Sequence, residues 1–196
     1  MKLFYSPLSP FARKVLIVLA EKGLDSLVET EVVNPWEEPE ALTTVNPISQ
    51  VPALLLDDGT ALYDSAVIAA YLDTLAEPQL IPVGGLAHWR VRRTEAAADA
   101  ICDTVVKLRQ EALRPEAERS AHHGARWRRS AARALDALEA EGPDGGLDLG
   151  EIMLTVMLDY VDFRAPELDW RAGRPNLQAR WRRLEGRPSF RATAPA

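Results

Sequence analysis

Residues 2–33 read KLFYSPLSPFARKVLIVLAEKGLDSLVETEVV, and this stretch decides the fold. Lys2 to Ser6 and Ser26 to Val33 are β-branched or aromatic with partial alternation, which predicts two strands. Between them, residues 10–22 place Phe11, Val15, Val18 and Leu19 at helical spacing. Strand, helix, strand in that order is a βαβ unit.

Working outward, Val51 to Leu56 is a short apolar run that stops at Asp57-Asp58-Gly59, a hairpin turn signal. Ala61 to Tyr63 supplies the returning strand, and Ser65 to Leu75 is helical again. The order is β-α-β-(short α)-β-β-α, with Pro52 opening the third strand, and it ends near Ala76. Glu77 to Gly85 carries Pro78, Pro82 and two glycines, so residues 77–87 read as a linker. Beyond it the patterning is helical, over 88–113, 118–141, 149–163 and 175–184, with almost no strand signal. Pro143 to Gly146 separates the second and third of these helices, and Asp148 with Glu151 three residues on has capping-box spacing. The expected organisation is therefore an α/β domain over 1–76 and an all-α domain over 88–196.

Composition narrows the function classes. The 196 residues are 47% hydrophobic and 27% charged, the balance of a globular chain that can bury a core. Cys102 is the sole cysteine, so an intramolecular disulfide, a CxxC redox pair and a multi-cysteine zinc site are excluded, and a reducing, cytoplasmic compartment fits. The net charge of −6 divides into −8 before residue 80 and +2 after it. Without a clustered positive field, nucleic acid is not the expected partner. The longest early apolar run, Val15 to Ala20, is too short for a signal sequence or a spanning helix, so no membrane partner is expected.

Three local features carry the candidate chemistry. In Ser6-Pro7-Leu8-Ser9-Pro10-Phe11, a strand end meets a helix start, with Ser9 at the N-cap and Pro10 at the first helical position. A hydroxyl there, with the positive end of the helix dipole behind it, either caps the helix only or also donates to a thiolate and lowers that thiol's pKa. Since no cysteine lies at this site, the thiol would arrive with a substrate. In Asn46-Pro47-Ile48-Ser49-Gln50-Val51-Pro52-Ala53, Pro52 removes a ladder donor at a strand start. That is either an ordinary edge proline or a cis bond turning the Val51 backbone toward a strand-like ligand. In Tyr63-Asp64-Ser65, Asp64 suits an ammonium, and Ser65 with the first helical amides suits a carboxylate. As an isolated pair it is also a common N-cap.

In this order the three motifs, Ser-Pro-Phe-Ala-Arg-Lys-Val from Ser9, Asn-Pro-Ile-Ser-Gln-Val-Pro-Ala-Leu from Asn46, and Asp64-Ser65, resemble the glutathione S-transferase family. The similarity runs over nearly the whole chain. Asp159-Tyr160-Val161-Asp162-Phe163-Arg164, Pro166 to Trp170 and Arg187-Pro188-Ser189-Phe190 resemble the end of its bacterial members. The resemblance implies a thioredoxin-like N-terminal domain that binds glutathione and an all-α domain that supplies most of a pocket for a hydrophobic electrophile. It also implies a homodimer and a detoxifying transferase with glutathione as co-substrate and no cofactor or metal. Residue by residue, Ser9 matches the thiolate-stabilising serine, and Gln50 and Val51 match glutathione-binding positions, Val51 through its backbone. Pro52 matches the cis-proline, and Asp64 with Ser65 the pair that grips the γ-glutamyl head.

The chain departs from the pattern in places. Asp64 stands where glutamate is commoner, shortening the reach by one methylene, and Ser49 stands where many members have glycine, with little expected consequence. Tyr5, at the end of the first strand, is the rival thiol activator and Ser6 a third choice, although the Ser-Pro-Phe spacing favours Ser9. The lack of a thiol at position 9 argues against mixed-disulfide chemistry. A glutathione-dependent peroxidase or isomerase, or a binding or scaffold protein with little turnover, is the alternative activity. Cys102 is expected as a small packed side chain, and His122 and His123 as solvated residues without further ligands. The basic runs at Arg126–Arg133 and Arg180–Arg183 are accompanied by carboxylates, and Trp36 and Trp89 are as readily packing as cleft residues.

Overall fold

The computed structural model describes residues 1–143 and 146–195. The chain forms two compact units, residues 1–88 together with 187–196, and residues 89–186. The expected boundary put every residue after 88 in the helical domain; the final segment instead belongs to the first unit.

The first unit is built on a four-stranded sheet of order β2-β1-β3-β4, with β1 Lys2–Tyr5, β2 Glu29–Val32, β3 Ala53–Leu55 and β4 Ala61–Leu62. β1 runs parallel to β2 and antiparallel to β3, and β4 returns antiparallel to β3. The parallel pair requires a crossover, which α1 (Pro10–Glu21) provides. Strand alternation sends neighbouring residues to opposite faces. Phe4 and Ala53 pack with Leu42 and Val45 of the short α2 (Glu40–Val45) on one face. Leu3 and Leu54, paired in register and fully buried, serve the other face, where α1 packs on α3 (Ser65–Asp73). The strand expected over 26–33 starts later, because Asp25–Leu27 forms a 3₁₀ turn that buries Leu24 and Val28 and leaves Leu27 exposed.

The linker expectation also changes. The Lys22 ammonium, fully buried, lies 2.8 Å from Asp73 Oδ1 and donates to the carbonyls of Asp73 and Pro78. Asp73 Oδ1 accepts again, from the backbone N–H of Leu80 (2.7 Å), and Oδ2 accepts from that of Ile81 (2.9 Å). A buried charge pair is tolerated only when its remaining hydrogen-bonding capacity is filled, and the chain just after α3 fills it. Residues 78–81 are thus tied to the first unit.

The tail is held through α1. Arg187 forms a two-pronged bond with Glu21 (2.8 and 2.6 Å), and α8 (Pro188–Ala192) follows against α1. Pairing with Arg187, aided by Ser189, holds the Glu21 carboxyl below the usual carboxylate range, and Glu21 raises the Arg187 guanidinium in turn.

The second unit consists of helices: α4 (Gly85–Leu113), whose first turn carries the division, α5 (Ala121–Ala140), α6 (Leu149–Arg164) and α7 (Pro175–Leu184). The break expected over 143–146 includes Asp144 and Gly145, which lie outside the described residues. α6 is mostly apolar and buried at every position from Leu149 through Leu158, the pattern of a helix enclosed by others. Asp148 caps it, accepting from Glu151 N at 2.8 Å. Glu151, 2% exposed in its side chain, meets the buried Arg180 of α7, which donates from Nε at 2.9 Å and reaches Leu138 O at 3.2 Å. Gly150 permits the close approach of α4: a Cβ there would lie 2.9 Å from Val91 O and 3.1 Å from Thr94 Cβ. No helix among the described residues is long and apolar enough to cross a membrane.

Candidate functional site

The sheet register gathers the site. β1 and β3 pair Phe4 with Ala53, so one step further sets Tyr5 opposite Pro52. β3 and β4 pair Leu54 with Leu62, so continuing that register sets Pro52 opposite Asp64. The start of α1, the Val51-Pro52 turn and the start of α3 therefore stand at one end of the sheet, each one step or one short loop from a strand end. The Val51–Pro52 peptide bond is cis, as is Tyr63–Asp64.

Ser9 is the N-cap of α1, with extended backbone, φ −88° and ψ 120°, and Pro10 at the first helical position. Its Oγ accepts from Ala12 N at 3.2 Å, and its carbonyl accepts from Arg13 N at 3.0 Å. A serine hydroxyl carries one donor beside its acceptor lone pairs, so the capping bond leaves the Oγ–H proton to donate elsewhere. The residue is half-buried. The aligned peptide dipoles of α1 are equivalent to about half a positive charge at this helix start. A thiolate is stabilised in such a place, and a thiol is not.

Asn46, 1% exposed, organises the second loop, and its role was not assigned from the sequence. Its Nδ2 donates to Gln50 O at 2.8 Å, its Oδ1 accepts from Ile48 N at 3.3 Å, and its carbonyl accepts from Ser49 N at 2.9 Å. The Asn-Pro dipeptide is a turn signal, and the side-chain bond two residues on is an Asx turn, so the sequence did hold the clue. Ser49 sits at φ 49°, in the left-handed region that glycine occupies without cost, which explains glycine as the common residue there. Its Oγ donates to Pro35 O at 3.0 Å, tying this loop to the one after β2. Gln50 is exposed, Val51 half-buried and Pro52 buried.

Asp64 is the N-cap of α3, its Oδ1 accepting from Ala66 N at 3.0 Å and Val67 N at 3.4 Å. Both bonds use one oxygen, and the exposed carboxylate keeps Oδ2 outside the cap. Ser65 opens the helix and is only 3% exposed. Tyr5 ends β1 half-buried, its carbonyl accepting from Val33 N at 2.9 Å.

The remaining residues raised by the sequence stand elsewhere. Cys102 is fully buried on α4. His122 and His123 are exposed at the start of α5, where His123 stacks on Trp127. No group of three or more His, Cys, Asp or Glu able to hold a metal ion occurs among the described residues. Arg180 belongs to the Glu151 pair, whereas Trp36 is 74% and Trp89 67% exposed.

Residues 8–75 match the N-terminal domain of glutathione S-transferases and residues 120–179 match their C-terminal domain. The chain is 35% identical over 201 residues to the uncharacterized GST-like protein YibF of Escherichia coli (strain K12), covering 100% of this chain and 98% of that protein. Among solved structures it is similar to a glutathione transferase family member from Pseudomonas fluorescens Pf-5 with bound S-(propanoic acid)-glutathione. That chain is 38% identical with a TM-score of 0.90, and each chain is covered in full. A glutathione S-transferase from Methylobacillus flagellatus KT with glutathione bound is 36% identical with a TM-score of 0.92, over 100% of this chain and 99% of that one. The protein belongs to the glutathione S-transferase family, with its thioredoxin-like first domain and helical second domain.

Proposed function

We propose that the protein is a glutathione transferase that activates the glutathione thiol through Ser9 and delivers the thiolate to a hydrophobic electrophile. The observation that carries this reading is the placement of the half-buried Ser9 cap, with its proton available, at the sheet end that also holds the cis Val51–Pro52 bond and the Asp64 cap. Glutathione-bound relatives of 36–38% identity support glutathione as the ligand.

In this reading the peptide lies along Val51 as an added strand, taking backbone hydrogen bonds beside Gln50, and Pro52 keeps the turn that presents them. The γ-glutamyl ammonium meets Asp64 Oδ2, and its carboxylate meets the Ser65 hydroxyl and N–H at the start of α3. The cysteinyl sulfur then lies at Ser9. The thiol proton passes to solvent, the Ser9 hydroxyl donates to the sulfur anion, and the helix dipole adds to that stabilisation. Sulfur attacks the electrophilic carbon, a C–S bond forms, and the leaving group departs with its electron pair. Holding both reactants in one complex supplies proximity, and the lowered pKa supplies nucleophile at neutral pH. Only glutathione and the electrophile take part, with no metal or organic cofactor. We further propose a cytoplasmic homodimer with a detoxifying role, the dimer to be checked by mass in solution.

The deciding experiment is a titration of thiolate absorbance for glutathione bound to the native chain and to Ser9→Ala. A bound thiol pKa lowered by about one to two units, each worth about 1.4 kcal/mol, and restored in Ser9→Ala, is the expected result. A shift that survives the substitution makes Ser9 a helix cap alone and moves the role to Tyr5. Absence of glutathione binding overturns the enzyme reading.

A further inference from the structure

We infer that the final segment, Arg187 to Thr193, is a positioning element for Ser9, acting through Arg13 and Glu21 of α1. The inference rests on the proposed role of Ser9 and adds residues that no motif around the site contains.

Arg13 lies one helical turn beyond Ser9, and its backbone N–H closes the first turn on Ser9 O at 3.0 Å. The side chain is 5% exposed, and it points at the tail: Nη2 donates to Phe190 O at 3.1 Å and Nε to Thr193 Oγ1 at 3.3 Å. Thr193 Oγ1 is itself oriented by donating to Ser189 O at 2.8 Å. At the opposite end of the helix, Glu21 receives the Arg187 fork and the Ser189 hydroxyl. Phe190, between Ser189 and Thr193 in sequence, is 1% exposed.

Two clamps about two turns apart fix a helix against both rotation about its axis and tilt, which a single contact cannot do. That matters because much of the surface α1 buries is apolar and apolar packing is non-directional, while the buried Lys22–Asp73 pair ties only the far end of the helix. Directional bonds at both ends hold the cap hydroxyl to one orientation relative to the strand ends. Donor strength toward a developing anion depends steeply on such orientation, and displacement of about 1 Å costs much of it. The thiol-lowering effect of Ser9 therefore depends on residues 178 to 184 positions away in sequence.

The test uses the full chain with Thr193→Val, which removes the oriented acceptor at nearly constant shape, and with Arg187→Met combined with Ser189→Ala, which releases the Glu21 clamp. Bound-thiol pKa is measured by thiolate absorbance, and the dissociation constant of glutathione is measured separately near pH 6, where the free thiol, with its ordinary pKa of about 8.5, is protonated. Circular dichroism and thermal melting report folding. Positioning predicts a bound-thiol pKa raised by about half a unit or more, roughly a threefold loss of thiolate when it is the minor form, with the pH 6 dissociation constant changed less than about twofold. A merely structural tail lowers the melting midpoint and leaves the bound-thiol pKa where it was; that result overturns the inference. Thr193→Val alone decides the matter if the double variant does not fold. A native shift abolished by Ser9→Ala but untouched by the tail variants defeats the positioning role only. A native chain with no thiol shift defeats both this inference and the Ser9 reading on which it rests.

Discussion

α1 and α6 both begin with an oxygen-bearing cap, Ser9 and Asp148, and both carry a long buried apolar run. Their surroundings differ. At the start of α6, Gly150 lies against Val91 and Thr94 and the buried Glu151 pairs with Arg180, so the residues just after the Asp148 cap are committed to packing. Ser9 stands half-buried at a sheet end, with its acceptor engaged and its proton unassigned. The same local device begins both helices and both caps are half-buried, but Ser9 stands at the sheet end where the proposed ligand would lie, whereas Asp148 leads into a fully buried helix turn. What separates structure from chemistry here is therefore the neighbourhood and not the motif.

The contrast is broken most severely at Glu151. Glu151→Ala strands the buried Arg180 guanidinium, and removal of one partner from a buried pair costs about 3–5 kcal/mol; urea unfolding should show the loss, with α6 destabilised. Unchanged stability would show that water reaches this pair. Gly150→Ala comes next. Its methyl group would press on the Val91 carbonyl, and overpacking of about 1–3 kcal/mol is expected, read as a lower denaturation midpoint at unchanged slope.

Paired substitutions at the two caps sharpen the comparison. Asp148→Ala should cost about 1 kcal/mol of stability and leave the bound-thiol pKa alone. Ser9→Asp retains a good cap, so stability should stay within about 0.5 kcal/mol of native, yet a carboxylate beside the sulfur should raise the bound-thiol pKa and abolish conjugation. If Ser9→Asp stays active, Ser9 does not face the thiol. The smallest effect is expected from Glu21→Gln. The Glu21 carboxyl is held low by Arg187, so its contribution is present above the ordinary carboxyl range near about 4.3 and fades as the pH falls through the lowered folded value. The stability difference between native and variant should thus be present at neutral pH and vanish in strong acid; a constant difference would show that Glu21 does not titrate with the clamp.

The first unit was readable because its signals are local. Ser9-Pro10, Asn46-Pro47 and Asp57-Asp58-Gly59 each set a cap or turn within a few residues, and strands and helix between them differ in hydrophobic period. The placement of residues 187–196 in the first unit was not readable, since its causes are Glu21 and Arg13, more than 160 residues upstream. The tether of residues 78–81 escaped for a similar reason: Lys22 and Asp73 look like surface charges until their burial is known. Ser49 read as a harmless departure because a backbone angle has no signature in a single residue type.

By itself the sequence determined the α/β-then-helical order, the family, and the identities of the residues at the strand ends, since periodicity, capping and turn chemistry act over a few residues. The folded arrangement alone decided that the tail joins the first unit, that residues 78–81 are tied to it through Asp73, and that Glu151 pairs with Arg180 inside the second. Those outcomes depend on burial and on hydrogen bonds between distant residues, and these exist only once the chain has folded.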